Sequence, residues 1–190
     1  YGSCAAIGPD GRLWISHGFT EDGTRFADTR AYDFEAGRWT DETPKGKAPV
    51  NRCLHGCWWT DDDRFVLYAG QTTGVEALGD LWSLTGAGGA DAAWTKAPGD
   101  LPAERNLYAF ARHGGAIVVV GGRGDRRFRS DAFTIDLATL TATPLAAGDT
   151  TPPGRAGGML IDDAARGRVL LFGGKDGSGA RADLWVLSLP

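Results

Sequence analysis

Leu13-Trp14-Ile15-Ser16-His17-Gly18 is the first of four short apolar stretches that end in glycine and organise the whole chain. The other three are Phe65-Val66-Leu67-Tyr68-Ala69-Gly70, Ile117-Val118-Val119-Val120-Gly121-Gly122 and Val169-Leu170-Leu171-Phe172-Gly173-Gly174. The closing glycines of successive stretches are 52 residues apart. A constant period near 50 residues is the signature of a repeat architecture.

Other residues keep the same period. An aspartate opens a new apolar run after each glycine, and in three of the four repeats an arginine precedes the closing glycine by 17 to 19 residues. The aspartates are Asp28, Asp80, Asp131 and Asp183; the arginines are Arg52, Arg105 and Arg155. Each repeat therefore holds about four short strands separated by turn residues. Four-stranded sheets repeated at this interval indicate the blades of a β-propeller.

The pattern resembles the Kelch-repeat β-propellers, such as the Kelch repeats of the galactose oxidase central domain. Three marks carry the resemblance: the Gly-Gly doublet, the Asp-Leu-Trp that opens the third strand (Asp80-Leu81-Trp82 and Asp183-Leu184-Trp185), and a tryptophan in the outer strand (Trp39 and Trp94). The first two repeats depart from the doublet with His17-Gly18 and Ala69-Gly70. The third has Ala142 or a neighbour in place of the outer tryptophan.

The resemblance implies an all-β fold, a Kelch-type propeller of four-stranded antiparallel blades with four repeats of about 52 residues. We expect a single propeller domain or part of one, with blades at 1–50, 51–102, 103–152 and 153–190, the last without its outer strand. The favoured interpretation is a segment of a larger propeller. A small four-bladed ring and blades completed by a second chain are the alternatives.

Composition limits the possible partners. The 190 residues carry a net charge of −4, and no apolar run approaches the ~18 residues that span a bilayer, so neither a nucleic-acid nor a membrane partner is expected. The chain has three cysteines, Cys4, Cys53 and Cys57, and a small, odd number of cysteines does not indicate a disulfide framework. Buried thiols in a reducing compartment are the favoured interpretation over a single bridge. The compartment is otherwise unknown, with the cytoplasm favoured.

The recurring arginines are candidate ligand-binding residues. Arg52, Arg105 and Arg155 come at the starts of inner strands, where they are predicted to form an arc on one face. In the Kelch-type substrate receptors of ubiquitin ligases, which the chain resembles here, similar arginines bind acidic peptides. A guanidinium suits this role because its planar fork binds a carboxylate at two points. The favoured alternative is that each arginine is a structural residue of the repeat and pairs with an acid of a neighbouring blade or with a backbone carbonyl.

The loops between second and third strands differ strongly between repeats and emerge on the same predicted face: 20–27, 71–79, 123–130 and 175–182. Binding usually lies on variable loops of a rigid scaffold. The third loop is the most distinctive, and its candidate binding residues are Arg123, Arg126, Arg127, Phe128 and Arg129. Four cations around an aromatic ring suit an acidic or phosphorylated partner. A solvated charged loop without a ligand is the favoured interpretation of these residues. Arg123-Gly124-Asp125 also matches an integrin-binding tripeptide, which recurs by chance.

Catalysis and metal binding find little support. Cys53, His55 and Cys57 alternate on one strand, but ligands at i, i+2 and i+4 span ~13 Å, so core packing is favoured over zinc. The chain has three histidines, and they do not form a recognisable copper site like that of galactose oxidase. The iron-binding specifier proteins, which are also Kelch propellers, use a Glu-x-x-x-Asp-x-x-x-His pattern. Glu76 and Asp80 match its first half, but Leu84 occupies the place of the histidine. We predict no catalytic residues, no metal and no cofactor, although enzymatic activity stays open.

The sequence thus predicts a non-catalytic protein- or peptide-binding scaffold that uses the loop face. The partner is a protein or acidic peptide, and another chain or segment could complete the propeller. The alternative is a propeller enzyme or carbohydrate-binding domain with part of its site outside this chain. Its sugar-stacking candidates are Trp14, Trp58, Trp59 and Tyr108.

Overall fold

The computed structural model describes residues 1–98, 102–124, 126–146, 148 and 150–189. Contacts within the chain divide it into two compact units, Tyr1–Gly99 and Asp100–Pro190. Each unit holds two of the predicted repeats, and each is built almost entirely from antiparallel strands. No helix among the described residues is both long and apolar enough to cross a membrane.

The first unit contains two sheets of four strands, each in sequence order. Sheet 1 comprises β1 (Cys4–Ile7), β2 (Leu13–Phe19), β3 (Arg25–Asp33) and β4 (Arg38–Asp41). Sheet 2 comprises β5 (Gly56–Trp59), β6 (Phe65–Gln71), β7 (Ala77–Thr85) and β8 (Ala93–Lys96), with a single 3₁₀ turn at Thr73–Val75. The meander follows from the sequence, because each short strand ends in turn residues that reverse the chain.

The second unit repeats the plan. Sheet 3 comprises β9 (Ala109–His113), β10 (Ala116–Val120), β13 (Ala132–Asp136) and β14 (Ala142–Pro144). Sheet 4 has three described strands, β15 (Met159–Asp163), β16 (Arg168–Phe172) and β19 (Leu184–Ser188), after a 3₁₀ turn at Ala164–Arg166. Two small hairpins lie between second and third strands: β11 (Arg123–Gly124) with β12 (Arg127–Phe128), and β17 (Lys175–Asp176) with β18 (Gly179–Ala180).

The glycine doublet closes each second strand with a left-handed backbone. The first position of the doublet has φ of 57° at His17, 56° at Ala69, 66° at Gly121 and 65° at Gly173. In the first two repeats the pairing register shifts between the flanking residues, which is a β-bulge. His17 and Ala69 therefore hold a conformation that glycine adopts without strain and that L-residues with a Cβ adopt at a cost.

Apolar side chains are buried between the sheets of each unit. In the first unit the ring of Trp14 on sheet 1 meets Trp59 of sheet 2 edge-on, with centroids 5.3 Å apart. In the second unit Ala109, Val118 and Val120 of sheet 3 pack with Leu160, Val169 and Leu171 of sheet 4. The predicted burial of Ile117 to Val120 on both faces of its sheet is also seen.

The structure corrects the expectation of three free thiols. Cys4 on β1 and Cys57 on β5 form a disulfide, with their Cα atoms 5.7 Å apart. The two inner strands lie side by side at the junction of sheets 1 and 2, which brings together cysteines 53 residues apart. Cys53 is the free, buried cysteine.

Two loops are shorter than the sequence suggested. Strand β3 begins at Arg25 and β7 at Ala77, whereas the loops were expected to run to residues 27 and 79. After the bulge the strand pairing resumes at Gly18↔Phe26 and Gly70↔Leu78, so the third strands start earlier than their aspartates. In the second unit the corresponding residues form the separate two-stranded hairpins instead.

Candidate peptide-binding surface

The candidate surface lies on the hairpin of β11 and β12, which we call the arginine hairpin. Arg123 pairs with Phe128 and Gly124 with Arg127 across its two strands. Arg126 turns the chain with φ of 60°. The side chains of Arg123, Arg126 and Arg127 are exposed, and Phe128 is half-buried. The guanidinium of Arg123 lies 5.9 Å from the centre of the Phe128 ring, a cation–π distance.

Arg129 anchors the base of the arginine hairpin. Its Nε donates to the carbonyl of Glu104 at 3.0 Å, and its Nη2 is 3.8 Å from the Glu104 carboxylate. Its backbone N–H donates to the Gly122 carbonyl, which joins the hairpin to the end of β10. One of the four predicted loop cations is therefore structural, and the other three point outward.

The fourth repeat supplies an internal comparison. Its hairpin has Lys175 at the position of Arg123 and Arg181 at the position of Arg129, as the matching backbone hydrogen bonds show. There Arg181 donates from Nε to the carboxylate of Asp176 at 2.7 Å, within the same hairpin. Among the described residues, Arg123, Arg126 and Arg127 of the arginine hairpin make no ion pair. The arginine hairpin thus presents three exposed arginines that pair with no carboxylate among the described residues.

The three recurring arginines have a different environment. Arg52, Arg105 and Arg155 are among the most buried side chains of the protein. Each guanidinium forks onto the recurring aspartate of its own repeat, at distances of 2.6 and 3.0 Å for Arg52–Asp80, 3.2 and 2.7 Å for Arg105–Asp131, and 2.6 and 2.8 Å for Arg155–Asp183. The acid partner of each arginine therefore belongs to the arginine's own blade and not, as predicted, to a neighbouring blade.

Backbone carbonyls complete the environment of each arginine. Nε donates to the carbonyl two residues earlier in the chain, at 3.1 to 3.2 Å. Nη1 donates to the carbonyl of the first doublet residue, which is Ala69, Gly121 or Gly173, at 2.9 to 3.0 Å. The arginine therefore fastens the left-handed turn of the doublet to the start of the third strand.

The aromatic residue after each aspartate supports the same ion pair. The indole N–H of Trp82 donates to Asp80 at 2.6 Å, and that of Trp185 donates to Asp183 at 2.7 Å. In the third repeat Phe133 replaces tryptophan and lies under the Arg105 guanidinium at 4.7 Å. The Asp-Leu-Trp motif is thus explained by hydrogen bonding to a buried arginine–aspartate pair.

These contacts shift the acidity of the aspartates. Burial raises the pKa of Asp80, but hydrogen bonds and positive charge from Arg52, with help from Trp82 and Lys96, lower it further than burial raises it. Hydrogen bonds from Arg155 and Trp185 hold the pKa of Asp183 well below its ordinary value. Both aspartates are therefore ionised at neutral pH and form true ion pairs.

The set Cys53, His55 and Cys57 does not form a ligand cluster. Cys57 is in the disulfide, and no group of three or more metal-ligating side chains comes together among the described residues. His55 instead packs edge-on against His17, with ring centroids 5.7 Å apart. The Arg123-Gly124-Asp125 tripeptide is described only for its first two residues, because Asp125 lies outside the described part of the chain.

The aromatic residues considered for sugar stacking belong to the core. Trp14, Trp58 and Tyr108 are buried, and Trp59 is covered in part by Trp14 and Phe65. A stacking platform needs an open ring face, which these contacts do not leave on Trp14.

One concave feature lies in the second unit. A cleft of about 1410 Å³ runs between the outer strand β14 and the open side of β19. Its wall includes Phe133, Pro144, Leu145, Trp185 and Leu187, so it is mainly apolar. The cleft lies beside the outer edge of sheet 4, at the position that corresponds to the fourth strand of sheets 1 to 3.

A sequence model of the KLHDC2/KLHL20/DRC7 Kelch-repeats domain matches residues 1–156. The chain belongs to the Kelch-repeat family. The predicted all-β Kelch propeller class is confirmed by this match together with the four-stranded antiparallel sheets. No curated protein matches the chain. Kelch domains are in general protein-interaction scaffolds, so the expectation of a protein partner is supported at that level.

The recurrence of Arg52, Arg105 and Arg155 is visible in the sequence, but their pairing with the aspartates of the same repeats was not predicted from it. The common spacing of Arg52–Asp80 and Arg155–Asp183, 28 residues in both cases, was a usable signal. Binding by Arg52, Arg105 or Arg155 stays a prediction that would require the ion pairs to open. The arginine hairpin is the candidate that the described surface leaves accessible.

Proposed function

We propose that this Kelch chain is a non-catalytic binding module for an acidic protein segment, and that the arginine hairpin is its main contact. The observation that carries the proposal is the exposure of Arg123, Arg126 and Arg127 without a carboxylate partner among the described residues. The corresponding hairpin of the fourth repeat carries one exposed cation, Lys175, and Arg181, the counterpart of the anchoring Arg129, pairs with Asp176. Three exposed arginines in one hairpin against a single lysine in the other favour an anionic ligand at the arginine hairpin.

The chemistry of the arginine hairpin favours carboxylate or phosphate groups. Guanidiniums bind both at two points, and the Arg123–Phe128 pair adds an apolar surface beside the charges. Two short strands of a hairpin fix the spacing of these side chains better than an open loop. An extended peptide with acidic residues near an apolar one fits this arrangement.

Peptide binding by charge-reversed variants tests the proposal. The probe is a fluorescein-labelled octaglutamate at low salt, compared with octalysine. Arg126→Glu combined with Arg127→Glu should weaken octaglutamate binding by at least about tenfold, because both contacts turn repulsive. The charge-matched control is Arg38→Glu with Lys45→Glu, at exposed sites in the first unit. Equal loss in both double variants, or no preference for octaglutamate over octalysine, would overturn the proposal.

We also infer that a further strand, from a following segment or another chain, pairs with the open edge of β19. Sheets 1 to 3 each have four strands, and sheet 4 has three among the described residues. An edge of unpaired N–H and C=O groups is a template for strand addition. The apolar cleft beside β19 offers room for the side chains of that strand.

A further inference from the structure

Ser130 lies directly after the arginine hairpin, at the point where the chain returns to sheet 3. Its side chain is exposed, and residues 129–131 belong to no strand. Among the described residues Ser130 makes no hydrogen bond, whereas the next residue, Asp131, pairs with Arg105. The hydroxyl of Ser130 therefore has no role in holding the fold together and is open to covalent modification.

The chain before Ser130 is rich in arginine. Arg126, Arg127 and Arg129 precede it by four, three and one residues, and the first two of these are exposed. The chain has five other serines, and none of them has an arginine among the three residues before it. Kinases select substrates by the charge pattern around the acceptor residue, so an acidic substrate groove would choose Ser130 from among these serines.

The segment that carries Ser130 can open without unfolding the sheets. The arginine hairpin has only two residues in each strand, and a two-stranded hairpin is marginally stable on its own. Beyond it, the Arg129 N–H donates to the Gly122 carbonyl at 2.9 Å, the Arg155 N–H donates to the Arg129 carbonyl at 3.0 Å, and the Arg129 side chain contacts Glu104. Segments held by few bonds open locally at a small part of the free energy of global unfolding.

A phosphate on Ser130 would stand beside the guanidiniums of the arginine hairpin. Residues two apart on an extended chain lie ~7 Å apart on the same side, which places Ser130 on the side of Phe128. The Arg123 guanidinium lies 5.9 Å from the centre of the Phe128 ring. A phosphoserine carries a charge of about −1.5 to −2 and three acceptor oxygens that pair with guanidiniums. It would therefore cancel much of the charge that an acidic segment meets.

We propose that Ser130 is a phosphorylation site for an arginine-directed serine kinase, and that its phosphate closes the arginine hairpin to acidic segments. The Ser130 hydroxyl oxygen attacks the γ-phosphorus of ATP, and the bond from that phosphorus to the bridging oxygen breaks as ADP leaves. The hydroxyl proton passes to the catalytic aspartate of the kinase. The first half of the proposal concerns Ser130 alone, and the second half rests on the proposed function.

Phosphorylation of the intact chain tests the site. The probe is the catalytic subunit of cyclic-AMP-dependent kinase with Mg²⁺ and ATP, and mass spectrometry of peptides locates the phosphate. We expect one phosphoryl group on Ser130 and none on Ser178, an exposed serine of the corresponding hairpin with Lys175 three residues before it. Ser130→Ala should accept none. Arg127→Lys should lower the initial rate by at least about tenfold, because an ammonium cannot replace the fork of a guanidinium.

Octaglutamate binding before and after phosphorylation tests the second half of the proposal. The phosphorylated protein should bind at least about tenfold more weakly, because the phosphate occupies guanidiniums and repels glutamates. Phosphatase treatment should restore the affinity, and Ser130→Ala should bind like the unmodified protein. Ser178→Glu is the matched control for added charge, and it should weaken binding far less than Ser130→Glu does.

The two possible failures are distinguishable. If octaglutamate does not bind the unmodified protein, the proposed function fails, whether or not Ser130 accepts phosphate. If octaglutamate binds, and either the kinase leaves Ser130 unmodified or the phosphate leaves the affinity unchanged, the phosphorylation proposal is overturned.

Discussion

At the scale of single residues, a buried arginine holds together the second, third and fourth repeats. Arg52, Arg105 and Arg155 each join a left-handed turn, the preceding connector and an aspartate of the third strand. The sequence showed that these residues recur, and it favoured a structural role in which each pairs with an acid of a neighbouring blade or with a backbone carbonyl. It could not show that the aspartate of the same repeat is the partner, because that contact depends on how the second and third strands lie together.

Removing one of these arginines should destabilise the protein strongly. We expect Arg52→Ala to lower the free energy of unfolding by about 3–5 kcal/mol, because it leaves the largely buried Asp80 carboxylate without its partner. Arg52→Lys should recover only part of this loss, since an ammonium cannot replace the fork. Urea unfolding followed by tryptophan fluorescence measures both.

The control for Arg52 is a surface pair in the same unit. Arg30 is half exposed and pairs with Asp28, so Arg30→Ala should lower the free energy of unfolding far less than Arg52→Ala does. If Arg52→Ala were as mild as Arg30→Ala, the structural role of the recurring arginine would be refuted.

Two buried histidines make the first unit sensitive to acid. Burial, aided by the charge of Arg52, lowers the pKa of His17 from 6.5 to about 4, against weaker opposite effects of Asp28 and Asp80. Burial, then His17 and Arg52, lower the pKa of His55 well below 6.5. The hydroxyl of Ser16 contacts Nδ1 of His17, and Nε2 of His55 donates to the Ser16 carbonyl. Both imidazoles are therefore neutral in the folded protein at pH 7.

The sign of the pH effect follows from these shifts. Below pH 6.5 the unfolded chain binds protons that the folded chain does not, so stability is full above pH 6.5 and falls as the pH drops toward 4. For His17 alone the loss is on the order of 3 kcal/mol. The low pKa of Asp80 adds a further loss only below about pH 4.

Urea unfolding between pH 7 and pH 4.5 measures this loss. Six of the seven tryptophans lie in residues 1–98, so fluorescence reports mainly on the first unit. His17→Gln with His55→Gln should flatten the profile, whereas His113→Gln, in the second unit, should not. An unmodified protein whose first unit is equally stable at both pH values would contradict the assignment.

At the scale of elements, the sequence predicted the second strands and their glycine ends well. Each apolar run predicted a buried strand, and the repeated glycine predicted where the strand ends. The backbone at that end is left-handed, a conformation that glycine adopts without strain. The replacement of the outer tryptophan by Ala142 was also right: Ala142 pairs with Ile135 as Trp94 pairs with Leu84. The two short hairpins and the Cys4–Cys57 disulfide were not predicted. Both depend on contacts between segments whose relative positions no local pattern fixes.

The open edge of β19 gives a prediction about strand addition. By the register Leu84↔Trp94, a completing strand should place an aromatic residue opposite Leu187. The peptide Ala-Ala-Trp-Thr-Lys-Ala, copied from residues 92–97, should slow amide exchange in β19. Replacing its tryptophan with aspartate should abolish the effect, because cross-strand aromatic packing is lost. Exchange that neither peptide changes, or that both change equally, would rule out this edge as the acceptor.

At the scale of the whole molecule, the period of 52 residues identified the class of fold before any contact was known. That the four sheets act as one domain, with blades at 1–50, 51–102, 103–152 and 153–190, stays a prediction. The candidate site was found in part: the cluster of arginines was visible in the sequence, but its accessibility was not. Arg105 is buried inside its sheet, whereas Arg127 is exposed because it lies on the hairpin that projects beyond the sheet. The sequence alone did not show this difference in burial.

Hydrogen exchange with and without octaglutamate shows whether the arginine hairpin binds an acidic segment. We expect slower exchange at residues 123–129 and no change in the corresponding hairpin at 175–181, which carries one exposed cation, Lys175, in place of three exposed arginines. Protection at 175–181, protection elsewhere on the chain, or none at all would contradict it.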